Sequence, residues 1–131
     1  MSLDEFLPSV NLPLESNIGY KVLLLEINGK HYLRFASTNS NDEHHPILLR
    51  NALEEFNLKY EEVRKNDTLL IPRHFGKNYK AIAMGKADLN LEERTAEFHG
   101  SSANYPLSIY ERHLILIQPL LLNWKLTHSI G

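Results

Sequence analysis

The stretch Y-K-V-L-L-L-E-I-N-G-K-H-Y-L-R-F-A, residues 20–36, decides the fold because it contains a complete two-strand unit. Residues 20–27 are rich in branched apolar side chains and predict a central strand. Asn28-Gly29 is the strongest short hairpin signal, since a type I′ turn needs positive φ at both central residues. Residues 31–36 are then the returning strand, so we expect this hairpin to form part of a β-sheet.

The next patterned segment, residues 46–56, predicts a helix. Its apolar residues recur at i, i+3, i+4 and i+7, which puts them on one face toward a core: Leu49, Ala52, Leu53 and Phe56. Proline fits a first helical position, and the residue before proline is pushed out of the α region. His45 is therefore the predicted N-cap of this helix.

The remaining segments complete the prediction, with an arm or irregular edge segment at 1–18 and a loop at 37–43. Further strands are predicted at 79–84, ending at Gly85, at 95–99, ending at Gly100, and at 123–128. A second helix is predicted at 106–116, and a strand-like run lies at 68–71. The expected fold is α+β: a mixed sheet of about five to six strands with two helices packed on it. We expect one domain over 1–131, with an insertion around 58–78.

Composition excludes several function classes. The 131 residues suit one domain, and the formal net charge of −2 lacks the basic excess that nucleic-acid binding requires. The chain has no cysteine, which rules out a disulfide scaffold, a thiol nucleophile and a Cys-ligated zinc site. The N-terminus lacks a signal-peptide pattern, and the longest apolar runs are too short for a transmembrane helix. We therefore expect a soluble cytoplasmic protein with no nucleic-acid or membrane partner.

His45 is the leading candidate for chemistry. At a helix start its imidazole would lie beside unpaired N–H groups, which bind phosphate or sulfate. The helix dipole there disfavours a cationic imidazole and keeps it able to act as a base. The alternative is an ordinary solvent-exposed loop histidine, and spacing alone favours that alternative. The residues 100–105, G-S-S-A-N-Y, could expose backbone N–H groups as an anion nest, and Lys21 could add a point charge.

Metal chemistry is not predicted despite seven histidines. No H-E-x-x-H or facial-triad spacing is present, and the contiguous run of residues 42–45 would seldom fold around one ion. Met84-Gly85-Lys86 is not a phosphate-binding P-loop, because the first glycine is missing and no Ser or Thr follows the lysine. We expect no metal and no cofactor.

Short motifs spread along the chain, in the same order, resemble those of the Janus/Ocnus family, whose known activity is phosphohistidine phosphatase. L-P-S-V-N-L-P at 7–13 and I-G-Y-K-V-L-L-L-E-I at 18–27 resemble the family's N-terminal arm and first strand. E-H-H-P-I at 43–47 is similar to its helix start, E-[YW]-H-A-D-I. M-G-K-A-D-L at 84–89 stands where the family has L-G-G-G-R-I, and F-H-G-S-S-A-N-Y at 98–105 is similar to V-Y-G-Y-S-x-x-[YF].

This resemblance implies a hydrolase of phosphohistidine or a related phosphoramidate. It implies His45 as general base or nucleophile, with His44 reduced to a neighbour. The phosphoryl group would be held by Lys21, Ser102, Ala103 and Asn104, with Arg34 and Ser101 as possible support. The expected partner is a phosphorylated protein or a small phosphoramidate substrate.

Two other functions remain open. Pro46 cannot donate an N–H to phosphate, and only Gly85 remains of the family's glycine triplet. These differences favour a non-catalytic phosphate- or phosphopeptide-binding module on the same fold. A protein-interaction module that uses the 58–78 segment is the third possibility. The sequence makes no prediction about oligomeric state.

Overall fold

An open five-stranded sheet forms the centre of the protein. The structure, a computed structural model, describes residues 8–13, 15–36, 45–58, 60, 63–65, 68–70, 79–102 and 105–129. The sheet contains β1 (Asn17–Ile27), β2 (Lys30–Ala36), β5 (Tyr79–Asn90), β6 (Thr95–His99) and β7 (Lys125–His128). Their spatial order is β2-β1-β5-β6-β7, with antiparallel neighbours except for the parallel pair β6–β7.

Helices and a separate hairpin complete the architecture. Helix α1 spans His45–Glu55, and the strands β3 (Val63–Lys65) and β4 (Thr68–Leu70) pair antiparallel outside the main sheet. The C-terminal helical segment consists of a 3₁₀ turn at Glu111–His113, α2 at Leu114–Ile117 and a 3₁₀ turn at Gln118–Leu120. The predicted α+β class is confirmed. In the described ranges no helix is long and apolar enough to cross a membrane.

The hairpin of residues 20–36 forms as predicted. Asn28 and Gly29 have φ of 49° and 84°, the positive values that a type I′ turn requires. The register from Ile27↔Lys30 to Lys21↔Ala36 runs without a shift. Because β5 then pairs with the other side of β1, β1 is a central strand, as its apolar sequence predicts.

The two faces of the sheet bury two separate apolar clusters. Leu23 and Leu25 of β1 pack with helix α1, while Val22 and Leu24 pack with the C-terminal helical segment. This alternation follows from the period-two geometry of a strand. The four core residues predicted for this segment are all buried, and the last of them lies one residue past the end of α1: Leu49, Ala52, Leu53 and Phe56. We call the side that carries α1 the α1 face of the sheet.

The predicted end of a strand at Gly85 is wrong, because β5 continues to Asn90. Alternation of buried and less buried residues persists beyond the glycine, with Ala87 and Leu89 in the cluster opposite α1. A glycine fits at this position of the strand because Ile109 approaches the backbone too closely for a side chain. A Cβ on Gly85 would collide with Ile109 Cγ2 and lie 2.7 Å from the His99 carbonyl oxygen.

Two helix starts also differ from prediction. Helix α1 begins at His45, one residue earlier than expected, so His45 is its first helical residue and not the N-cap. Proline is tolerated one position further in because that N–H also lacks an intrahelical acceptor. The second helical run begins only at Glu111, not at 106. Before it the chain folds back on itself, since Ser102 N donates to Leu107 O and Ile109 N donates to Gly100 O.

The described part of the predicted N-terminal arm lies along the outer edge of β2. Leu33 N donates to Ser9 O at 2.7 Å, and Phe35 N donates to Asn11 Oδ1 at 2.9 Å. Val10 forms a parallel bridge with Leu33. The predicted loop at 37–43 and residues 71–78 of the predicted insertion lie outside the described residues.

Candidate functional site

His45 lies against the sheet at the junction of β1 and β5. Its side chain projects from the first residue of α1, and the residue is only 2% exposed. Nε2 lies 3.0 Å from the carbonyl oxygen of Gly85, which is the register partner of Val22. The alternative of a solvent-exposed loop histidine is therefore wrong.

The bond to Gly85 fixes the tautomer of His45. A carbonyl oxygen only accepts, so Nε2 carries the proton and donates it. In the neutral ring Nδ1 then carries the lone pair. Burial, together with the charges of Lys21 and Lys86, lowers the pKa of His45 to about 4, although the carbonyls of Gly85 and Val22 oppose the shift. His45 is consequently a neutral imidazole at neutral pH.

Lys21 lies near His45. Its charge acts on the imidazole strongly enough to lower the His45 pKa. Strand alternation places Lys21 on the α1 face, because its neighbour Leu23 packs with α1 while Tyr20 and Val22 belong to the opposite cluster. The structure thus brings a lysine and a neutral histidine together on one face of the sheet.

Lys86 is a second cation at the same place, and the sequence prediction did not include it. It is the direct register partner of Lys21 across the β1–β5 ladder. Its neighbour Met84 packs with α1, so Lys86 also points to the α1 face. Its charge, like that of Lys21, lowers the His45 pKa. Local sequence could not reveal this pair, because the two residues are brought together only by the register of two distant strands.

The loop after β6 is described only in part. Ser101 is exposed and bridges to Ser108, while Ser102 is nearly buried and its Oγ accepts from Tyr105 N at 3.2 Å. Tyr105 packs into the same apolar cluster as α1, which brings the loop to the α1 face. Ala103 and Asn104 lie outside the described residues, so their predicted phosphate contacts stay predictions.

Arg34 also lies within the core on the α1 side, where it joins elements together. Its guanidinium binds Glu55 at 2.9 and 3.2 Å, the Leu33 carbonyl at 3.0 Å and the Pro8 carbonyl at 2.7 Å. The group also lies over the rings of Phe56 and Tyr32. These contacts tie the N-terminal arm and the end of α1 to β2, and support of a phosphate site by Arg34 stays a prediction.

A polar pair lies beside Lys86, with Asp88 on the same strand and His99 on the next strand. His99 is the register partner of Lys86 on β6, and its Nε2 lies 3.3 Å from Asp88 Oδ1. The same carboxylate oxygen accepts from Gly19 N at 2.8 Å. Within the described ranges no three His, Asp or Glu side chains are grouped closely enough to hold a metal ion.

No protein-family model matches this chain, and no curated protein matches it. The chemistry of the site depends on its own residues: a neutral imidazole of fixed tautomer, with two lysines beside it.

Proposed function

We propose that the protein is a metal-independent phosphatase of the Janus/Ocnus type, which acts on phosphohistidine or a related phosphoramidate. The observation that supports the proposal is the His45 imidazole, held neutral by burial and oriented by its Nε2–H bond to Gly85 O. This arrangement directs the lone pair to Nδ1, the atom that can accept a proton or attack phosphorus.

The proposed reaction uses the charges around His45. Lys21 binds the phosphoryl oxygens and stabilises the negative charge that shifts onto them. Nδ1 of His45 takes the proton of a water that attacks phosphorus, or attacks phosphorus itself before water releases the phosphoryl group. The P–N bond breaks, and the departing nitrogen takes a proton from solvent water. Where His45 has acted as base, it returns its own proton to solvent. Positioning and electrostatics carry the catalysis.

Substrate binding would also make His45 a better base. An imidazole with a pKa of about 4 accepts a proton only weakly at neutral pH. Two of the causes of that low pKa are the charges of Lys21 and Lys86. A bound phosphoryl dianion offsets those charges, so it raises the His45 pKa toward the working pH.

The test is hydrolysis of phosphohistidine or phosphoramidate in the presence of EDTA. Wild-type protein should release phosphate, and His45→Ala should abolish the release. His31→Ala is the matched control, because His31 lies in the β1–β2 hairpin and pairs with Glu26. Turnover at the wild-type rate in His45→Ala would contradict the assignment.

A second candidate is a phosphate- or phosphopeptide-binding module without turnover. It is favoured by the low exposure of His45, 2%, which restricts access to the imidazole. Pro46, in the first turn of α1, supplies no N–H for an anion. This function predicts phosphopeptide binding that Lys21→Ala weakens, with no phosphate release by the wild-type protein.

A further inference from the structure

Two lysines face each other on the α1 face of the sheet. Lys21 on β1 and Lys86 on β5 are register partners in an antiparallel ladder. Side chains directly opposite one another in such a ladder have Cβ atoms about 5 Å apart. Their rung is adjacent to Val22↔Gly85, the rung to which His45 is hydrogen-bonded. A single small ligand beside His45 can therefore contact both ammonium groups.

No carboxylate of the described residues forms an ion pair with Lys86. Asp88, two residues along the same strand, is engaged by Gly19 N and His99. Glu97 lies opposite Asp88 on β6. In the part of the chain that the structure describes, the close contacts between a basic or imidazole nitrogen and a carboxylate are His31–Glu26, Arg34–Glu55 and His99–Asp88, and none of them includes Lys86. Like charges directly opposite in a ladder repel one another, and an anion that contacts both lysines lowers that repulsion.

We propose that Lys21 and Lys86 together form a binding site for a dianionic tetrahedral oxyanion, a phosphate or a phosphoryl group, beside His45. Two opposed ammonium groups match two negative charges better than one, since each makes a charge-assisted hydrogen bond to a different oxygen. The choice of phosphate as the ligand rests on the proposed function. Lys86 is then a specificity-determining residue, because its added charge makes the site prefer dianions over monoanions.

The test is titration of the full chain with inorganic phosphate, with binding measured by calorimetry or ³¹P NMR. Lys86→Ala should weaken phosphate binding about tenfold, the effect of losing one charge-assisted hydrogen bond. Lys86→Arg should largely retain binding. The matched control is Lys80→Ala, which removes an exposed lysine of the same strand and should leave binding unchanged. Sulfate should compete well with phosphate, and nitrate poorly.

Thermal unfolding provides a second readout that reports folding directly. Phosphate should raise the Tm of the wild-type protein and of Lys80→Ala, because a ligand that binds the native state stabilises it. The rise should be much smaller for Lys86→Ala. In phosphate-free buffer Lys86→Ala should unfold at the wild-type temperature or above it, since the repulsion from Lys21 is removed.

The outcomes separate this site from the proposed reaction. Phosphate binding by Lys86→Ala as tight as in the wild type would overturn the two-lysine site, as would no detectable wild-type binding at about 10 mM phosphate. Hydrolysis measured on the same samples is an independent result. Lys86-dependent binding without turnover would support the site and reject the phosphatase.

Discussion

At the scale of single residues, Gly85 meets two requirements at once. Its carbonyl oxygen holds Nε2 of His45, and its missing side chain lets Ile109 pack onto the strand. We predict that Gly85→Ala destabilises the protein by about 2 kcal/mol, because the added methyl pushes both Ile109 and the β6 backbone away from residue 85. Urea unfolding monitored by circular dichroism measures this change.

The control for this substitution is Gly29→Ala in the hairpin turn. A Cβ at Gly29 would meet nothing within 4 Å, although φ is +84°. Its cost is therefore the left-handed backbone penalty of about 1 kcal/mol alone. Equal losses for the two variants would show that the Ile109 contact does not constrain Gly85.

The sequence identifies part of this site but not its support. His45 and Lys21 can be singled out because a helix start and a strand residue are local patterns. Gly85 suggests a strand end, since glycine usually weakens strands. Its real role depends on Ile109, 24 positions away in the chain. Lys86 escapes prediction for the same reason, because only the β1–β5 register brings it opposite Lys21.

At the scale of elements, Arg34 connects β2, α1 and the N-terminal arm. The guanidinium is 2% exposed and forms a bidentate pair with Glu55, whose side chain is one-third exposed. We predict that Arg34→Ala lowers the free energy of unfolding by about 3 kcal/mol, because it removes a buried network and leaves a cavity. Denaturant unfolding provides the measurement.

Arg34→Lys should recover only part of this loss, since an ammonium cannot form the planar bidentate pair. Arg50→Ala serves as the control: it is also an arginine change, at a partly exposed position of α1. Phosphate binding should survive Arg34→Lys if the residue is purely structural. A large loss of phosphate affinity in a folded Arg34→Lys protein would instead support its predicted role at the site.

The sequence predicts best those elements that are specified by a short-range pattern of residues. The β1–β2 hairpin follows from Asn28-Gly29, and the buried face of α1 follows from its helical spacing. The helix predicted at 106–116 begins late because backbone bonds between residues 100–102 and 107–109 hold that region extended. Apolar spacing reports which side chains are buried, but it does not report such backbone pairing between separate segments.

At the scale of the whole molecule, the buried neutral His45 makes stability depend on pH. Its pKa is about 4 in the folded protein, against 6.5 for an ordinary histidine, the value expected in the unfolded chain. As the pH falls, the unfolded chain binds the proton first. The stability that the neutral His45 contributes is therefore fully present above pH 6.5 and is lost as the pH falls through 4. The expected loss between about pH 7 and pH 4 is about 3 kcal/mol.

Urea unfolding of wild type and His45→Gln across this pH range measures the effect. Glutamine can still donate to Gly85 O but does not titrate. Over this pH range the free energy of unfolding of His45→Gln should therefore fall by about 3 kcal/mol less than that of the wild type. Burial also lowers the pKa of His113, which acts in the same direction in both proteins. Parallel pH profiles for the two proteins would show that His45 does not titrate as described.

The arm beside β2 has a consequence for behaviour at high concentration. An uncovered edge strand offers its N–H and C=O groups to other chains, which is a common start of aggregation. Here the arm already occupies the outer N–H groups of Leu33 and Phe35, and Arg34 holds the arm through Pro8. The hydrogen bond from Arg34 to Pro8 thus protects the protein against aggregation, because detachment of the arm would turn β2 into a template for intermolecular strand addition.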